Sequence, residues 1–167
     1  MARPPLFDFP NPVNEVSARL VAGGVVLLAG TTLATRQPLL LLPLAYGFVA
    51  RVLTGPTLSP LGQMVTRVLT PRLGVQARPV PGPPKRFAQG IGATLSVAAV
   101  VAHFGFGLTG LAWLLVAMIA VAATLESVFA FCLGCTIFAG LVRLRVIPES
   151  VCADCADLGR RHPGLAS

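Results

Sequence analysis

At 167 residues, 54% apolar and 11% charged, with a mean hydropathy of +0.79, the chain is too apolar and too poor in charge for an ordinary water-soluble domain. Its formal net charge of +7 does not point to nucleic acid, because no base-reading motif accompanies it and the basic residues gather between apolar runs. The class expected is all-α and polytopic: one membrane domain, residues 1–167, folded as a four-helix transmembrane bundle with an amphipathic surface helix between spans two and three.

The opening, Met1 to Glu15, is Pro-rich and carries Asp8 and Glu15 before any long apolar run, so it does not read as a signal peptide. The first span then doubles as the insertion signal. That span covers residues 16–35, close to the roughly 20 residues that cross a bilayer core. Arg36, Gln37 and Pro38 end it, and span two follows at 38–53, short, with Pro43 and Gly47 inside and Arg51 near its far end. The interval 54–86 holds no acidic residue. Within it Leu61, Met64, Val65, Val68 and Leu69 recur at i, i+3, i+4, i+7 and i+8, a stripe closed by Pro71. It fits an amphipathic helix on the membrane surface with Arg67 and Arg72 toward lipid phosphates, or a loop helix docked on the bundle. Pro79, Pro81, Pro83 and Pro84 then read as a stiff extended linker.

Span three is expected at 87–106, where Gly90, Gly92, Ala98 and Ala102 offer small faces to a neighbouring helix. Glycines between Phe104 and Gly110 allow a tight hairpin into span four, residues 109–135. The apolar stretch runs on from Leu111 to Val142, and about 32 residues at 1.5 Å each reach about 48 Å. As one helix it would have to tilt or project from the membrane. Arg143 and Arg145 mark its end and Pro148 opens the tail, within the polar segment 143–167. Of the 13 lysines and arginines, all but Arg36 fall on one side of a four-span topology, which puts both termini in the cytoplasm. Tyr46 and Trp113 read as interface anchors or packing residues, and His103 as a solvated polar tip.

All 4 cysteines lie near the C-terminus, as Cys132/Cys135 and Cys152/Cys155. Two Cys-x-x-Cys pairs suit either a four-thiolate metal site, zinc first, or thiol and persulfide exchange; inert packing is the third reading. A reducing cytoplasm disfavours a structural disulfide. Arg143 and Arg145 are expected to lower the thiol pKa values, and Pro148 to let the tail fold back. Glu126 is the one acid inside an apolar span. On a continuous helix it sits about 180° and 240° round the axis from Cys135 and Cys132, outside their site. It is expected to pair with Arg51 as a structural ion pair, the alternative being a proton or ion path.

The runs Pro71-Arg72-Leu73-Gly74, Pro84-Lys85-Arg86-Phe87-Ala88-Gln89-Gly90-Ile91-Gly92 and Phe131-Cys132-Leu133-Gly134-Cys135 resemble a bacterial membrane family, domain of unknown function family 4395. The likeness spans about Leu58 to Cys135. It implies a small bundle of about four membrane helices, and no particular activity. Similar members often carry Glu directly after the second cysteine; Thr136 stands there in this chain, so if that Glu serves as ligand or proton carrier in the family, the role does not carry over to this position.

Three functions remain open from the residues. One is a membrane-anchored thiol or persulfide relay with a soluble redox or sulfur-transfer partner in the cytoplasm of a bacterium. Another is a zinc-stabilised scaffold or subunit of a larger complex in the inner membrane. A small-solute transporter is the third, and it lacks the repeated halves such folds use.

Overall fold

The computed structural model describes residues 11–74 and 76–147. Cys152, Cys155 and the tail turn at Pro148 lie outside the described residues. The architecture is all-α apart from a two-residue antiparallel tie, β1 (Val13–Asn14) against β2 (Pro79–Val80).

Helix α1 spans Glu15–Thr35, started by Asn14, whose side chain accepts the Val16 N–H at 3.1 Å, and ended by Arg36 in the left-handed region at φ 54°. Its threonines need no outside partner: the Thr31, Thr32 and Thr35 hydroxyls each donate to the carbonyl four residues back. A 3₁₀ turn at Pro38–Leu40 leads into α2, Leu41–Thr54. Pro43 falls in the first turn of α2, where its missing N–H leaves no bond unmade, so it causes no kink.

Helix α3 occupies 60–73 as three continuous pieces: Pro60–Met64, a π turn at Val65–Leu69, and Thr70–Leu73. Pro71 does not close it. The wider π turn just before the proline relaxes the ladder where an α-turn would clash with its ring. The stripe is split between burial and exposure. Val65 is 1% exposed and Leu61 half-buried, whereas Met64, Val68 and Leu69 remain exposed as an outward apolar edge.

Helix α4 runs Gly82–Gly105, ending in a π turn at Val101–Gly105. It therefore begins ahead of the expected Phe87, because Pro83 and Pro84 sit in the first helical turn, which tolerates proline. The proline linker is correspondingly shorter, and Lys85 and Arg86 become helical. Helix α5 spans Thr109–Phe129. The long fourth helix is not formed: Ala130 takes a left-handed φ of 56°, and a separate α6 follows at Leu133–Arg143. Arg19 of α1 stabilises the break by donating to the carbonyls of Ser127 and Val128 at 3.1 to 3.3 Å, a cation on the negative end of α5.

In the bundle α1 packs along α5, α2 along α4, and α4 also against α5 and α6. The contacts are made by small and aliphatic residues, with Ala29, Ala99, Ala112 and Val116 fully buried. Outward faces are apolar too: Leu27 is 74%, Leu114 59% and Val121 62% exposed. Small residues inside and large aliphatic ones outside is the arrangement that lipid, not water, accommodates. Three helices, Glu15–Thr35, Gly82–Gly105 and Thr109–Phe129, are long and apolar enough to cross a membrane; Pro38–Thr54 and Leu133–Arg143 are shorter apolar helices. His103 is not a solvated tip: its Nδ1 is buried without a hydrogen bond among the described residues, and its ring lies 4.8 Å from Phe104 and 6.0 Å from Trp113.

Phe48 of α2 packs directly on Gly92 of α4, since a Cβ there would run into its ring. Gly92→Val is expected to destabilise the bundle by about 1–3 kcal/mol through overpacking. Gly90→Ala, which meets nothing within 4 Å, should leave the midpoint of thermal unfolding in detergent unchanged or slightly raised.

Candidate functional site

Because the chain breaks at Ala130, Cys132 and Cys135 do not share a face of one long helix. Cys132 is the N-cap of α6, with extended backbone, and its sulfur accepts the Cys135 N–H at 3.3 Å. A sulfur in that place takes the role usually filled by a serine or aspartate oxygen, and it faces the positive end of the helix dipole. Thr136 adds a second bond to the turn, its hydroxyl donating to the Cys132 carbonyl at 3.2 Å.

The turn is held against α4 by a row of contacts from the Lys85 to Gly92 block. Gly134 rides on Ala88, where a Cβ would come within 2.5 Å of the alanine methyl. Phe87 and Phe138 place their rings 5.6 Å apart. Arg86 donates to the Val52 carbonyl at 3.1 Å, and Gln89 accepts from Arg51 Nε at 3.0 Å. Helix α4 thus joins α2 to α6, and each of these residues has a distinct mate.

Lys85 is the residue that sequence reasoning missed. Its Nζ donates to Glu126 Oε1 at 2.7 Å, with the two side chains 12% and 15% exposed. The expected ion pair of Glu126 with Arg51 is replaced by this one. Arg51 reaches Gln89 and, through Nη1, Ser59 Oγ at 3.3 Å, and it stacks 4.6 Å over the Phe48 ring; the Glu126 charge reaches it only through space. Nor is Glu126 remote from the cysteines. It lines one apolar pocket of about 90 Å³ together with Cys132, Gly134, Gln89 and Phe48. The long-helix geometry that separated them does not exist.

The two thiols are electrostatically unequal. Cys132 is lowered from its ordinary value, chiefly by the hydrogen bond it takes from the Cys135 thiol, with Lys85 and the Cys135 backbone N–H acting the same way against burial and Glu126. Cys135 is raised, first by that same hydrogen bond and then by burial. The cation near both sulfurs is Lys85, in place of the expected Arg143 and Arg145. Both thiols are half-buried and no disulfide joins them.

A four-thiolate zinc site needs Cys152 and Cys155, which lie outside the described residues. Among the described residues no group of three or more His, Cys, Asp and Glu side chains comes together.

Comparison with curated proteins and with solved structures gives no match. Residues 13–143, which include every contact just described, match the family described as Domain of unknown function (DUF4395), and the chain belongs to that family.

Proposed function

We propose that this protein is a membrane-anchored dithiol that exchanges disulfide or persulfide with a soluble partner, Cys132 attacking and Cys135 resolving. The single observation that carries the reading is the cap: the Cys132 sulfur accepts the Cys135 N–H at the start of α6, beside the Lys85 ammonium. A thiolate stabilised by a helix N-terminus and a cation is the reactive kind, and a raised thiol three residues on suits the slower second step.

In the forward direction the Cys132 thiolate attacks a disulfide of the partner, breaking its S–S bond and releasing one partner thiolate, which takes a proton from water. Cys135 then loses its proton and displaces the second partner sulfur from Cys132. The products are a Cys132–Cys135 disulfide and a partner dithiol. Cys152/Cys155, a second pair on the same chain, is the natural acceptor of that disulfide, regenerating Cys132 and Cys135 as thiols.

In this reading α1, α2, α4 and α5 cross the inner membrane of a bacterium, and α6 lies at its cytoplasmic boundary with both termini on that side. The basic residues of α3 and of the loops support the orientation.

The test is reaction of the reduced, detergent-purified protein with glutathione disulfide, followed by mapping of the disulfides formed. A Cys132–Cys135 disulfide in the chain lacking Cys152 and Cys155 is the expected product, with thermal stability nearly unchanged. About one zinc per chain, lost together with stability when either pair is replaced by Ser, would instead make the four cysteines a structural metal site.

A further inference from the structure

Arg51 is 6% exposed, yet among the described residues no carboxylate touches it. Its Nε and one Nη1 proton are used by Gln89 and Ser59; among the described residues Nη2 has no hydrogen-bond partner. A guanidinium taken out of water without a counter-charge is strongly disfavoured, and the stack on Phe48 offsets only part of that. The nearest acid whose charge it feels, Glu126, is already bound to Lys85. Among the described residues two cations therefore stand against one carboxylate, which Lys85 holds.

Both cations line the same pocket of about 190 Å³, enclosed by the β1–α1 junction, the end of α2, α3 and the first turn of α4. Among the described residues no Asp or Glu lines it; its other polar groups include Asn14, Ser17, Thr66 and Gln89. Asn14 spends its side-chain oxygen on the Val16 and Arg78 N–H groups, which leaves its amide protons as donors. Lys85 uses one proton on Glu126 and keeps two. A cavity of 150 Å³ suffices for a benzene ring, so this one accommodates a tetrahedral anion with water.

We propose that this pocket binds one small oxyanion of the phosphate or sulfate class, held by Arg51 and Lys85 with Asn14 as a neutral donor. A guanidinium and an ammonium with spare protons, carried by two residues that line one largely apolar space, match the lone pairs of such an anion, and its charge completes the balance that Glu126 leaves unfinished. The anion is either a free ion or the phosphate of a lipid headgroup. The site is separate from the thiol chemistry proposed above and stands without it, Lys85 being the wall common to both.

The experiment uses the full chain in a neutral maltoside detergent, with sodium phosphate or sulfate titrated against chloride at constant ionic strength. Saturable binding of one anion per chain, with a matching rise in thermal midpoint, is expected, and Arg51→Gln should weaken it at least tenfold. Gln89→Glu places a carboxylate on Arg51 from within the chain; it should raise the midpoint in chloride buffer and remove the response to anion. That variant gives an answer even if Arg51→Gln does not fold. Nanodiscs of phosphatidylglycerol against phosphatidylcholine provide the second arm: an Arg51-dependent stabilisation confined to the anionic lipid identifies a headgroup phosphate as the source. Absence of a saturable response in both arms, or an equal response in Arg51→Gln and wild type, overturns the proposal.

Discussion

Glu126→Gln is expected to lower the stability of the bundle by about 3 kcal/mol, toward the lower end of what removing one partner of a buried ion pair costs. The cause is the lysine left behind. Lys85 is 12% exposed, and among the described residues Glu126 is the one carboxylate its ammonium pairs with. Lys85→Met alone should cost a similar amount by stranding Glu126, while the double replacement recovers most of the loss because two apolar or neutral groups pack where two charges were. The measurement is a double-mutant cycle on the detergent-solubilised protein, followed by thermal or denaturant unfolding. A parallel cycle of Glu126→Gln with Arg51→Gln should return a much smaller coupling, since those two side chains interact only at a distance. Equal coupling in the two cycles would mean that Glu126 divides its charge between both cations, and the 2.7 Å pairing would not be the dominant one.

That cycle also separates what the sequence reveals from what it hides. Helix α1, the shortness of α2, and the small faces of α4 follow from hydropathy, proline position and glycine spacing, and the structure agrees with them to within a few residues. The break at Ala130 does not follow. Val128, Phe129, Ala130 and Phe131 form an unbroken apolar run with neither glycine nor proline, so nothing local marks the end of α5. Its causes are tertiary: Arg19, 108 residues away, caps the Ser127 carbonyl, and Gly134 docks α6 on Ala88. Once that turn is misread as helix, Glu126 is rotated away from the cysteines and Arg51 becomes its apparent partner. The second error came from the prolines. Pro83 and Pro84 suggest a linker, but in a first helical turn they are compatible with helix, and that moves Lys85 from a loop to the wall of the site. A Pro-Pro step followed by Lys-Arg and an apolar run is a helix start by the same rules that allow proline at the first positions, so Lys85 was within reach of the sequence.

Cys132→Ser and Cys135→Ser are expected to fail in opposite ways, and the contrast reads the roles of the two sulfurs directly. Serine is a good N-cap, so Cys132→Ser keeps the hydroxyl on the Cys135 N–H and α6 stays formed; its loss of exchange is then a loss of nucleophile and not of structure. With Ellman's reagent this variant, in the chain lacking Cys152 and Cys155, should release aromatic thiolate only slowly, from a Cys135 that burial still raises. In the chain lacking Cys152 and Cys155, Cys135→Ser keeps the attacking sulfur and should release one equivalent quickly, then stop as a stable mixed disulfide on Cys132, with no second equivalent from intramolecular resolution. The pH dependence follows from the sign of each shift. Cys132 is depressed, so its thiolate is present at a pH below the ordinary thiol range and its alkylation by iodoacetamide rises there; Cys135 is raised, and its alkylation rises only above that range. Removing the neighbouring cation by Lys85→Met shifts the Cys132 profile to higher pH. Each unit of that shift should slow its reaction at neutral pH by about threefold, because the tenfold fall in thiolate is partly offset by a more nucleophilic sulfur. Equal alkylation profiles for the two cysteines, or a mixed disulfide that accumulates on Cys135 instead of Cys132, would reverse the assignment of attacker and resolver.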